Sequence, residues 1–82
     1  MEPTIGQAFV LVAPGDHPDR DSVIFVRESQ GFFRVVRKTL CGFMYDYSIF
    51  NGKTYPNNSS IYEDKARMIW HSLVLGGYTR KI

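Results

Sequence analysis

Residues 51–63, NGKTYPNNSSIYE, hold the point at which the chain changes from strand to helix. Asn51-Gly52 is the strongest two-residue hairpin signal in the chain, because a tight antiparallel turn needs positive φ at both positions. Ahead of it, residues 43–50 (FMYDYSIF) alternate, which predicts a strand. Tyr45, Tyr47 and Ile49 are expected on one face, with Asp46 and Ser48 opposite. Lys53-Thr54-Tyr55 is the short return strand, stopped by Pro56 and the polar run Asn57-Asn58-Ser59. Ser60 and Glu63 have the spacing of a capping box, so the helix is expected to be capped by Ser60. At about 100° per residue, Tyr62, Ala66, Ile69, Trp70 and Leu73 fall in one stripe, the expected core face. Gly76-Gly77 supplies the C-terminal stop.

Upstream of this switch the chain reads as strands. Residues 7–13 (QAFVLVA) form an unbroken apolar run ended by Pro14-Gly15, the pattern of a central strand covered on both faces. Residues 15–22 (GDHPDRDS) are loop chemistry. Residues 23–27 (VIFVR) and 32–40 (FFRVVRKTL) are two strands joined through a short turn at Gly31. In the second, Phe33 and Val35 share one face while Arg34 and Lys38 share the other. Gly42 marks a bend. The expected fold is α+β: a four- to five-stranded, mainly antiparallel sheet with one C-terminal helix packed on it.

At 82 residues, with 44% hydrophobic and 22% charged, residues 1–82 read as a single small folded domain. Ten Lys+Arg against eight Asp+Glu give a net charge of +2, too little for strong long-range attraction to phosphate. Cys41 is the sole cysteine, so neither an internal disulfide nor a Cys-rich zinc site can form. A reducing, cytoplasmic setting fits. Acidic Glu2 stands where a signal peptide is basic, and the longest apolar run, residues 8–13, is too short to span a bilayer. No membrane association is expected.

His17 with Asp16, Asp19 and Asp21 offers metal-ligating groups, but the spacing lacks the glycine and terminal glutamate of a calcium loop. An exposed turn explains them, and no metal or other cofactor is expected. Nucleophilic catalysis needs a base beside Cys41, and only His17 and His71 exist. Cys41, between Leu40 and Gly42-Phe43, reads as a small core residue. His71 points away from the helix's core stripe. Without a nucleophile–base signature or a glycine-rich phosphate loop, an enzyme is not expected.

Two binding readings remain. Ile61, Met68 and Leu75 recur every seven residues on a line away from the core stripe, extended by Val74. Such a line fits a protein partner or a homodimer, with Tyr45 and Tyr47 near the hairpin adding contact area. The competing explanation is that residues 1–6 or the loop at Phe43 cover it. The second reading is nucleic acid. Arg34 and Lys38, interleaved with Phe32 and Val36, together with Arg80 and Lys81 beside Tyr78, could hold phosphates and stack bases. A small regulator, inhibitor or minor subunit that binds protein is the preferred function; nucleic-acid binding is the alternative.

Residues 63–78 carry Ala66-Arg67, Trp70 three residues after the arginine, Leu73, and then Gly77-Tyr78 before Arg80. This pattern resembles the endings of small uncharacterised bacterial proteins, cyanobacterial and phage ones among them. The resemblance implies a small sheet plus helix and brings no activity with it.

Overall fold

The computed structural model describes residues 4–81. Five strands form one antiparallel sheet: β1 (Ala8–Val12), β2 (Asp21–Ser29), β3 (Phe32–Thr39), β6 (Ser59–Tyr62) and β7 (Thr79–Lys81), in the order β6-β3-β2-β1-β7. β4 (Tyr47–Phe50) and β5 (Lys53–Pro56) pair as a separate hairpin, and α1 spans Glu63–Leu75. This is the expected α+β architecture. No helix among the described residues is long and apolar enough to cross a membrane.

The hairpin turns at Asn51 (φ 51°) and Gly52 (φ 75°), as its sequence demands. β2 and β3 also pair as expected across the short turn at Gly31. Their inward side chains Val23, Phe25, Phe33 and Val35 join Leu11 of β1 and Ala66 and Ile69 of α1 in the core. Phe50 adds the hairpin to the same face, and Trp70 and Leu73 pack half-buried beside it.

Several local expectations are corrected. β1 is not flanked by cover: β2 is the sheet's centre, and α1 and the hairpin both lie on one side of it. The tail after Gly77 (φ 98°) is not free, because it returns as β7 along β1. Ser60 does not cap the helix. It lies in β6, opposite Arg34, and its hydroxyl donates to Glu28 Oε1. The residue preceding α1 is Tyr62, which makes no side-chain cap, and Glu63 turns instead to Arg27.

Tyr62 therefore leaves the expected core stripe and stands exposed, its ring 5.0 Å from that of Phe32. In β4 the pleat buries Ser48 and Phe50 and exposes Tyr47 and Ile49; Phe50 joins the core and the Ser48 hydroxyl donates to Asn57 Oδ1 at 3.0 Å. Cys41 is exposed rather than core. It follows the end of β3 in a turn, where its Sγ donates to Asp19 Oδ1 at 3.1 Å. Of the possible cover from residues 1–6, residues 1–3, Glu2 among them, lie outside the described residues, and Ile5 is exposed.

Candidate binding surfaces

Strand alternation assigns each side chain of the sheet to one of two faces. The face away from α1 carries Val10, Ile24, Val26 and Val36 at its centre, all half-buried. The register sets Val36, Ile24 and Val10 in one row ending at Lys81, and Arg34, Val26 and Ala8 in the next. Phe32 and Tyr62 close one corner. Among the described residues no helix or hairpin packs on this face. At its end by the β1–β2 loop Val12 and Ser22 are buried, with the Ser22 hydroxyl donating to Lys38 O at 3.0 Å. The open part is the area around Val10, Ile24, Val26 and Val36.

Its charges are mostly positive. Arg34, Lys38 and Lys81 lie on it, and the one carboxylate on it among the described residues, Glu28, is paired with Arg34. The Ser60 hydroxyl and then the Arg34 guanidinium hold the Glu28 carboxyl below the usual range. Lys38 and Lys81 pair with no carboxylate among the described residues. Arg80 leaves the expected cationic group. It alternates to the opposite face, its guanidinium 4.9 Å from the ring centre of Phe9.

That opposite face is covered by α1 and the hairpin over β6 and β3, and opens toward β1 and β7. A groove of about 300 Å³ remains there, floored by Phe9, Phe25 and Phe33 and walled by Ala66, Arg67, Trp70 and His71 of α1, with Arg80 on the far side. Trp70 meets Phe25 and Phe9 edge-on at 5.2 and 6.3 Å. His71 thus faces the rim of a groove and not merely open solvent.

The expected partner strip does not stay in line. Ile61 precedes the helix and faces inward from β6, packed against the core. Met68 is 56% and Leu75 89% exposed on α1, with Val74 beside them. Tyr47 is exposed on the hairpin. Tyr45 is engaged: its hydroxyl donates to Asp21 Oδ1 at 3.0 Å.

Asp21 is the centre of a polar cluster. Its Oδ2 accepts from Arg37 Nε at 3.1 Å, from Arg37 Nη2, and from the Tyr78 hydroxyl at 3.3 Å. Partial burial opposes ionisation of Asp21, yet Arg37 and the two tyrosine hydroxyls hold its carboxyl below the usual value. The bond to Asp21 raises the Tyr45 hydroxyl, while burial and then the Asp21 charge raise that of Tyr78. The cluster joins β2, β3, the β4 approach and the segment after α1, a structural use for all four side chains. Among the described residues no group of three His, Cys, Asp or Glu side chains could hold a metal.

The uncovered sheet face had a signal that the periodicity reading passed over: Val23, Ile24, Phe25 and Val26 are apolar on both faces of one strand. Arg80 gave none, because its face depends on tail pairing. Compared with protein families, curated proteins and solved structures, the chain matches none.

Proposed function

We propose that the protein is a non-catalytic protein-binding module whose contact surface is the uncovered face of the sheet. The observation that carries this reading is the one-sided packing: α1 and the β4–β5 hairpin share a face, leaving Val10, Ile24, Val26 and Val36 opposite. Contiguous apolar area of this kind with a polar rim is characteristic of protein contacts. The partner inferred is a different protein with an apolar patch rimmed by acidic residues. A second copy would bring Lys38 and Lys81 to a face whose described carboxylate, Glu28, is already held by Arg34, which disfavours the homodimer. Binding would act by occupying the partner's surface, as a small regulator, inhibitor or minor subunit does.

Nucleic acid keeps one supporting observation: Phe32 and Tyr62 stand beside Arg34 on this same face. The centre of the face is aliphatic, however, and offers bases no ring to stack on. The test is capture from native lysate by wild-type protein, Ile24→Lys, Val36→Glu and Lys38→Glu/Lys81→Glu. The captured protein is expected to be lost with the first two variants and weakened in the third, all remaining folded by circular dichroism. Capture by all three variants alike overturns the reading. So does oligonucleotide binding with a log–log salt slope near −2, the value for about three phosphate contacts on a single strand.

A further inference from the structure

We propose that the groove between α1 and the β1–β7 edge is a binding site for a small aromatic monocarboxylate. Four aromatic rings, Phe9, Phe25, Phe33 and Trp70, line one cavity of about 300 Å³. That is the lower end of the volumes that small-molecule sites occupy, about 300–1,000 Å³. Phe25 and Phe33 are buried and form a rigid floor, whereas Phe9 and Trp70 are half-buried and present ring surface to the opening. An aliphatic chain would lose the ring-to-ring contacts that this lining offers.

The polar groups at the rim select the ligand's charge. Arg80 reaches in from the edge strand and Arg67 from the helix, on opposite sides of the groove. Arg80 lies over Phe9, and no carboxylate pairs with it among the described residues. Among the described residues the one carboxylate paired with Arg67 is Glu63, at 3.4 Å, which also pairs with Arg27 at 2.6 Å. Arg80 thus lines the groove without a carboxylate partner among the described residues, and Arg67 lines it while sharing Glu63 with Arg27 through the other carboxylate oxygen. A planar fork of donors matches a carboxylate. His71 adds a ring nitrogen at the same rim. The ring of the ligand would lie against Trp70, with its carboxylate held by Arg80, whose guanidinium stacks on Phe9, and by Arg67. This site is on the opposite face from the surface proposed for protein contact and does not depend on that reading.

Trp70 is the chain's only tryptophan, so its fluorescence reports the groove directly. The probes are phenylacetate, its neutral isostere phenylacetamide, and acetate. Phenylacetate is expected to change Trp70 emission saturably with a Kd of roughly millimolar order, as befits a ligand of so few atoms. Phenylacetamide is expected to bind at least about tenfold more weakly, the loss of one charge-assisted contact, and acetate not to saturate. Arg80→Gln should weaken phenylacetate by about tenfold, and Arg67→Gln by less, since Glu63 already engages that side chain. Lys53→Gln, which removes the same charge from the hairpin, should leave it unchanged. The proposal is overturned by a linear, unsaturated response to phenylacetate, by equal binding of the amide, or by an Arg80→Gln affinity equal to that of Lys53→Gln.

Discussion

Arg27 Nη1 lies 2.6 Å from Glu63 Oε1, joining the central strand to the first residue of the helix. The Arg27 side chain is only 5% exposed, and its guanidinium also sits 4.7 Å above the ring of Phe33. The Glu63 backbone N–H donates to Gly31 O at 2.9 Å, so the helix start is held at both side chain and backbone. Arg27, followed by Arg67, keeps the Glu63 carboxyl below the usual range. This pair fixes where α1 crosses the sheet, and so sets one wall of the groove.

Removing the acid from such a pair leaves a buried cation without its counter-charge, which costs more than losing both charges. Glu63→Gln is therefore expected to be less stable than the double variant Arg27→Met/Glu63→Gln in urea denaturation. A double variant that is the weaker of the two would show that the pair stabilises the fold beyond its own desolvation.

Asn57 joins three segments through four hydrogen bonds. Its Nδ2 donates to Arg37 O at 2.9 Å and Tyr45 O at 2.7 Å, while Oδ1 accepts from Arg37 N at 2.8 Å and the Ser48 hydroxyl at 3.0 Å. Asn57→Ala should cost roughly 2–4 kcal/mol, because several half-buried partners lose their bonds together. Asn57→Asp should cost at least as much at neutral pH, since it turns a carboxylate oxygen toward two carbonyls. Thermal unfolding of both variants checks this; an aspartate variant as stable as wild type would contradict the donor assignment.

These two hubs also show where sequence legibility ends. The fold class rests first on two local signals, the Asn51-Gly52 turn and the Ser60–Glu63 capping box, beside the strand alternation and the stripe of Ala66, Ile69 and Leu73. The turn forms as expected and the capping box does not. Glu63 carried a capping-box spacing, but a buried arginine in a distant strand competed for its carboxylate and won. Asn57 read as turn chemistry, and only the third dimension shows its partners. Arg80 and Lys81 are neighbours in sequence yet face opposite sides of the sheet, because the tail became a strand. The groove and the uncovered face both depend on strand order, which local spacing does not encode.

Asp21 makes stability depend on pH at both ends. Its carboxyl ionises below its ordinary value of 3.8 in the folded state, so it contributes stability above that value. That contribution is lost as pH falls through the lowered folded value. Tyr45 and Tyr78 have hydroxyls raised above 10.0, so their contribution is present below that value and lost as pH rises through the raised ones. Asp21→Asn should cost about 1–3 kcal/mol at neutral pH through lost charge-assisted bonds. It should also flatten both limbs of the stability profile, read from urea midpoints across pH. Limbs as steep as those of wild type would place the titrating groups elsewhere.

The heptad line on the helix predicts three equivalent residues, and the structure predicts three unequal ones. Ile61 packs against the core from β6, whereas Met68 is 56% and Leu75 89% exposed. Ile61→Ala should cost roughly 1–3 kcal/mol, less than a fully buried isoleucine because the site is half-covered. Met68→Asp and Leu75→Asp should each change stability by less than about 1 kcal/mol, since Leu75 loses little buried area, Met68 less than half of its own, and neither strands a buried charge. Capture of the partner should also survive both aspartates if the contact is the opposite sheet face, and fail if it is the helix. Stability and capture therefore test different claims: the first locates the core, and the second decides which exposed apolar surface the partner meets.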